Sequence, residues 1–491
     1  MVYSFKNRLK KSVFLFYNYL LVSSFYIYNI INRFNTFKMK SKFTLLFLGL
    51  FFSFPIQNCF AQDFSSLIKS PTGVVRCASV ENEALLKSKY PDRETTQQFE
   101  NWISQKIQEN NNNSNKNISA IITIPVVVHI LSNGDAIGTN ENLVDGRVFS
   151  QIQSLNQDFR RMLGTPGYND SDVGADTEIE FCLAQRKPDG TATNGIDRVI
   201  TSTASFSTRP DVEAMKATTQ WDPLQYFNIW VVNFSGSLNL LLGYAQFPST
   251  SGLSGLNTNG GAANTDGVVI SYTSFGNQAI FSGGPYDGTY NKGRTTTHEI
   301  GHALGLRHIW GDGNGNYQTE TPDCNASDFC NDTPVAGYLH YGCQSGSDSC
   351  FDDTGQTDMV ENYMDYSDDS CMNIFTIDQK ARIDAVMNNS IRRVQLRTSN
   401  ACSPPLSITQ QSFNNSVRIY PNPVSTVLNY FINNNFEVQT ILINDISGKV
   451  IFRNNNAVVP SQIDVSNLSS GVYFVTFKSD TSLVTKKFIK E

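Results

Sequence analysis

The chain has 491 residues, 17% of them charged, and a formal net charge of −6 at neutral pH. That length exceeds one ordinary domain, so two or three folded units are expected. The acidic balance gives no electrostatic argument for nucleic acid or an anionic membrane as partner, and 12% aromatics with frequent Asn, Ser, Thr and Gly suit an exported, β-rich protein.

Two apolar stretches open the chain. The first, residues 13–31, follows Lys6, Arg8, Lys10 and Lys11 and is nearly long enough to span a bilayer. The second begins at Met39, with basic Lys40 and Lys42, an apolar run from Phe43 to Ile56, and a small-residue end at Cys59-Phe60-Ala61. That is the layout of a secretory signal. Residues 39–61 are expected to be a signal peptide and residues 1–38 an upstream mis-start or apolar extension, with a membrane anchor as the rival reading. Residues 62–117 are polar, partly helical in pattern, and run into an Asn-rich stretch suited to cleavage, so they read as a propeptide.

A folded domain is expected over residues 118–398. The β-branched run at residues 121–130 predicts a buried strand, with His129 a core histidine rather than a ligand. Val148, Ile152, Leu155 and Phe159 recur at helical spacing, and Ile179, Phe181 and Leu183 alternate as in a strand. Residues 227–234 and 267–272 supply further strands.

Three of the five histidines then fall in one short segment, His298-Glu299-Ile300-Gly301-His302-Ala303-Leu304-Gly305-Leu306-Arg307-His308. His298 and His302 stand one helical turn apart on the same face. A continuous helix would carry His308 about 15 Å along the axis from His298. His308 joins the other two only if the chain turns back, and Gly305 is the residue able to make that turn. Catalytic zinc wants three protein ligands and one open position. Glu299, rotated off the ligand face, suits a general base acting on water that the metal acidifies. The segment predicts a zinc-dependent hydrolase, most simply a peptidase.

Residues 311–357 are rich in Asp, Asn, Gly and Cys and read as irregular. Cys324, Cys330, Cys343 and Cys350 crowd this region, with Cys371 shortly beyond it, and no CxxC pair is present, which favours disulfides over a zinc ribbon. Cys182, Cys330 and Cys402 stay unassigned. Thr376 and Gln379 form a capping box for a closing helix running to about Leu396. Residues 399–416 read as a linker. Residues 417–491 carry short alternating strands with turn signals between them, a small β-sandwich.

The long zinc motif, with Asn362-Tyr363-Met364-Asp365-Tyr366 downstream, resembles the metzincin zinc peptidases. Gly293-Arg294-Thr295, Asp332-Thr333-Pro334 and Ser367-Asp368-Asp369-Ser370-Cys371 narrow the resemblance to the pappalysins, bacterial secreted type, over roughly residues 118–396. The resemblance implies an α+β catalytic domain with a twisted, mostly parallel sheet, an active-site helix and a loop-rich, disulfide-stapled lower part. It implies zinc on His298, His302 and His308, catalysis by Glu299 with Tyr366 supporting the oxyanion, and Met364 as the floor of the site. It also implies the pairs Cys324–Cys350 and Cys343–Cys371, calcium near Asp328 and Thr333, and Gly243-Tyr244-Ala245 as the edge strand that pairs with substrate. Asp369 would lie at the base of the primed-side pocket and favour Arg, then Lys. Arg76-Cys77 resembles the cysteine switch of related zymogens, with Cys77 on the zinc.

Tyr420-Pro421-Asn422-Pro423, Ser447-Gly448-Lys449 and Gly471-Val472-Tyr473 resemble the C-terminal sorting domain of type IX secretion. Expected partners are protein or peptide substrates and that secretion machinery, with no nucleic acid and no mature transmembrane span. The expected location is secreted or cell-surface attached, after export through the periplasm. The rivals are a metzincin of another subfamily and a surface adhesin with a vestigial protease domain.

Overall fold

The computed structural model describes residues 64, 67–112, 121–249, 263–351, 356–405, 417–432, 438–454, 462–479 and 483–491. The signal-peptide and upstream-extension readings at residues 1–61, and most of the linker at 399–416, lie outside the described residues. So does the end of the Asn-rich run, at 113–120.

The central sheet is built on β1 (Ile122–Ser132), whose β-branched run is buried along almost its whole length. Parallel partners flank it: β2 (Ile179–Leu183), β3 (Ile196–Ile200) and β4 (Phe227–Val232). A strand covered on both faces needs a continuous apolar run rather than alternation, and β1 and β4 have one. Next come β6 (Val268–Ser271), parallel to β4, and β5 (Gly243–Ala245), the antiparallel strand at the far edge. Helix α3 (Asp145–Phe159) packs its Val148, Leu155 and Phe159 into the core as the spacing predicts. His129 is a structural histidine, as expected: Nδ1 meets Asp197 at 2.8 Å, Nε2 meets Asn228 at 2.9 Å, and the ring stacks on Trp230.

Ahead of the sheet, an N-terminal arm carries α1 (Ser79–Lys89) and α2 (Thr96–Asn112). Helix α4 (Arg209–Thr219) lies between β3 and β4 in sequence, and α5 (Arg294–Ala303) carries the first two motif histidines. The closing helix α6 (Ile377–Asn389) has the expected Thr376–Gln379 capping box. It ends at Asn389, short of the expected Leu396. Arg392, at φ +64°, and Arg393 both turn onto the buried Asp266 carboxylate. Adjacent residues cannot point the same way from a helix, so that shared partner breaks it.

The region after α5 is irregular, as its composition predicts. Cys324–Cys350 and Cys343–Cys371 are bonded, matching the implied pairs. Cys182 of β2 is bonded to Cys402, a pair the sequence left open, while Cys77 and Cys330 remain buried thiols. The last 75 residues form two antiparallel sheets around their own core, with Val417, Leu428, Ile441, Val475 and Phe488 buried between them. The expected small sandwich is therefore present.

One polar contact pins the irregular region beneath the active-site turn. His340, fully buried, lies between Asp358 and Asp365, each at 2.9 Å. Burial disfavours its charged form, but the two carboxylates prevail and hold the imidazolium up to about 10. Because the folded pKa is raised, the stabilisation is complete below the ordinary value of 6.5 and is lost as pH rises through about 10. Removing one partner of a buried ion cluster costs about 3–5 kcal/mol. His340→Ala should therefore lower stability by about that much at pH 6, and denaturant melts of the two proteins should converge as pH approaches 10.

Candidate active site

All ten residues of α5 are buried, and the chain leaves the helix through Gly305 at φ +92°. That left-handed step is cheap only for glycine. It turns His308 back toward His298 and His302, so that ligand atoms of the three imidazoles and the Cys77 thiol all lie within 4.8 Å of one another. The Asn362-Tyr363-Met364-Asp365-Tyr366 segment, the Met-turn, packs against the helix with Met364 fully buried. A Cβ at Gly301 would sit 2.4 Å from the Met364 sulfur, so glycine there lets the turn reach the helix.

Each ring is held by its far nitrogen. His298 Nδ1 donates to the Tyr363 carbonyl at 2.7 Å and His302 Nδ1 to the Leu306 carbonyl at 2.9 Å, since a carbonyl can only accept. His308 Nδ1 meets the Asp312 carboxylate, and its ring stacks on Trp310 at 4.3 Å. With Nδ1 protonated, a neutral imidazole turns a lone pair inward from Nε2. Burial drives the pKa of His298 and His302 well below the ordinary value, which keeps those rings neutral. His298 Nε2 has no hydrogen-bond partner, and His302 Nε2 faces His308 Nε2 at 3.0 Å. A cation at this centre would take up the unpartnered His298 Nε2 together with both facing nitrogens. The donor set of imidazole nitrogens with a thiol sulfur fits zinc.

Glu299 lies beside this cluster, fully buried. Its Oε2 accepts from the Ser79 hydroxyl at 2.7 Å and from the Cys77 thiol at 3.4 Å, while Oε1 has no partner. Burial pushes its carboxyl up to about 7. Tyr366 sits across the site with its ring 5.0 Å from that of His308. Burial raises its phenol well above the usual range, and its hydroxyl donates to the Cys77 carbonyl at 3.4 Å.

The arm fills the cleft above. Leu242 N donates to the Val75 carbonyl and Ala78 N to the Gly243 carbonyl, so the arm pairs along the edge that ends in β5. Ala245 N donates to the Ser79 hydroxyl and Asn82 to the Ala245 carbonyl. The expected edge residues Gly243, Tyr244 and Ala245 are thus in place. Tyr244 points its ring away from the cleft and bonds Glu213.

Asp369 is fully buried. Its Oδ2 accepts from the backbone N–H groups of Lys292 and Arg294, and its Oδ1 faces the Arg76 guanidinium at 3.7 Å. Burial raises the Asp369 pKa, with Arg76 opposing. Arg76 also donates to the Thr295 hydroxyl at 2.7 Å and stacks over Tyr290 at 4.9 Å. Asp328 and Thr333 are neighbours as expected, the Thr333 hydroxyl donating to Asp328 at 2.8 Å, but away from the histidines.

Sequence reasoning missed Ser79, which bridges Glu299 and the edge strand, although it follows Cys77 by two positions. It also missed Asp312, whose four-residue offset from His308 was the available signal. Asp158, which gathers Thr297, Tyr363 and Arg294 behind α5, had no local signal at all.

Comparison with known proteins gives the same picture. Residues 212–388 match the family described as pregnancy-associated plasma protein-A, and residues 418–491 match a secretion-system C-terminal sorting domain. An extracellular metalloprotease of Arthroderma otae is 30% identical over 267 residues, which cover 54% of this chain and 78% of the relative. One from Verticillium alfalfae is 32% identical over 268 residues, covering 54% and 75%. A solved promirolysin mutant from Tannerella forsythia is 36% identical with a TM-score of 0.52, over 66% of this chain and 97% of that one. Among the described residues no helix is long and apolar enough to cross a membrane. The chain belongs to the pappalysin family of metzincins and is a secreted zinc metalloendopeptidase that carries a type IX sorting domain at its C-terminus.

Proposed function

We propose that His298, His302 and His308 hold the catalytic zinc through Nε2, with Glu299 as general base and Tyr366 as the oxyanion donor. On this reading residues 118–398 are the peptidase, residues 62–117 a propeptide that keeps it latent, and residues 417–491 the sorting domain. Zinc there would supply Lewis-acid polarisation of the scissile carbonyl and a lowered pKa for water. Glu299 takes the proton and returns it to the leaving amine; a carboxyl lifted by burial to about 7 is well matched to both steps near neutrality. The Tyr366 phenol stays protonated and donates to the substrate carbonyl oxygen, as it does to the Cys77 carbonyl in the arm.

The observation that carries the reading is the placement of two neighbouring arm residues. Cys77 brings its sulfur to the three imidazoles while Arg76 enters the pocket over Asp369. The thiol is raised by burial first and by Glu299 second, so a cation at the cluster is what would hold it as thiolate. Ser79 and Cys77 together occupy Glu299, so the arm withholds the base as well as the metal position. Arg76 fills the pocket as a basic substrate residue would, which supports cleavage before Arg and, less well, Lys. A guanidinium reaches a buried carboxylate with planar, directed donors that an ammonium lacks.

Asp328 and Thr333 are further proposed to bind calcium. In support, the Asp328 carboxylate is buried enough to be pushed up to about 7, and oxygen donors of this kind suit that ion.

Glu299→Ala in the processed enzyme should lose about 10²–10⁴-fold in kcat on a protein substrate, and retained proteolysis would remove this mechanism. Asp369→Asn should cut the preference for Arg over apolar residues on the amine side of the cut bond by about 30-fold or more. Cleavage profiling that finds an apolar preference in the parent enzyme would end the pocket reading. Chelating calcium selectively should lower Tm by a few degrees, and an unchanged Tm with unchanged activity would eliminate that site.

A further inference from the structure

Helix α2 packs on the catalytic body at α6 and at the Gly305 turn. Its buried residues are Phe99, Glu100 and Ile103, with Trp102 and Ile107 partly buried beside them. Phe99 and Ile103 pack with Ala385 and Val386 of α6. A Cβ at Gly305 would lie 3.6 Å from Ile103 Cδ1 and 3.7 Å from Phe99 Cζ, so the helix rests on the turn that carries the third imidazole. Glu100 lies beneath this apolar contact, desolvated between two cations of the body. Its Oε1 accepts from Arg307 Nε at 2.6 Å, and its Oε2 accepts from Arg382 Nη1 at 2.7 Å. Arg382 is itself fixed by donating to the Gly305 carbonyl at 2.9 Å. Among the described residues, no α2 side chain hydrogen-bonds to Glu299, the three imidazoles, Asp369 or β5.

We propose that Gly305, Arg307, Arg382, Ala385 and Val386 form a second docking site, specific for an acidic amphipathic helix, whose occupant is this chain's own residues 96–112. The inference rests on the arm being a removable propeptide, and it adds where that propeptide is held. Charge and shape both favour this occupant: two body arginines converge on one buried carboxylate, flanked by an apolar shelf that takes residues at helical spacing. The contact uses neither the metal nor the thiol. It therefore keeps the arm in place when the cluster is disturbed, and the cut arm returns to it in trans as an inhibitor. Once α2 leaves, Arg307 has Asp312 as a remaining partner, with Nη1 already 3.7 Å from that carboxylate.

Two measurements test this. In the full chain, Glu100→Gln should speed the appearance of peptidase activity at least about tenfold. It should leave kcat/KM of the fully processed enzyme unchanged, because residue 100 is no longer part of it. Separately, a labelled synthetic peptide of residues 92–112 should bind the processed enzyme, as read by fluorescence anisotropy. That binding should persist after zinc is removed with a chelator and should fall at least about tenfold for the Glu100→Gln peptide. Short helices pay an ordering cost when isolated, so the peptide is compared with its variant rather than judged on absolute affinity. Equal activation rates for Glu100→Gln and parent, or equal binding of the two peptides, would overturn the site. Cys77→Ala separates the two ideas. If it leaves activation unchanged while the peptide still binds, the thiol reading fails and the helix site stands. If it hastens activation while Glu100→Gln does not, the helix site fails and the thiol reading stands.

Discussion

Three imidazoles have their Nδ1 atoms committed, two to backbone carbonyls and one to a carboxylate, and they turn Nε2 toward a common centre beside the Cys77 thiol. Around that arrangement the rest of the catalytic body is organised. The Tyr363 carbonyl that fixes His298 belongs to the Met-turn, so the turn and the helix must keep register. The Leu306 carbonyl that fixes His302 comes from the same bend that returns His308. Met364 can close the floor only because position 301 has no side chain. Buried polar groups of this kind are costly unless each is satisfied, which makes the geometry all-or-none.

The same economy governs the cleft. One carboxylate, Asp369, ties the start of α5 to the loop after the Met-turn through the Lys292 and Arg294 amides. Its second oxygen faces the Arg76 guanidinium at 3.7 Å. One hydroxyl, Ser79, spans the edge strand and the Glu299 carboxylate, so the arm meets both walls with a two-atom reach. The arm therefore meets Asp369, Glu299 and the edge strand within four consecutive residues, Arg76 to Ser79.

What could be read in the chain beforehand was local. The spacing of His298, His302 and His308, the glycine between them, the alternation in β2 and the capping box at Thr376 all express contacts made within a few residues. The central strand was legible because burial on both faces demands an unbroken β-branched run. The features that escaped involve distant partners. Cys182 and Cys402 are 220 positions apart, and the Asp266–Arg393 contact beyond the end of α6 spans 127 positions. Nothing near Glu100 announces that its counter-charges are Arg307 and Arg382. Arg76 was visible as a neighbour of Cys77, but its pocket was not, because Tyr290, Thr295 and Asp369 come together only in the fold.

The Cys182–Cys402 bond lies at the exit of the catalytic body, where Gln185 N also bonds the Ala401 carbonyl and Arg186 the Pro404 carbonyl. Everything C-terminal to it hangs from that knot. When the tail is pulled during export, tension along the chain passes through the Arg186–Pro404 contact and the sulfur bridge into the outermost strand of the sheet. The backbone behind the knot, from Leu396 through α6 to the Met-turn, is spared the load. Hauling the molecule by its rear end therefore need not disturb the metal centre.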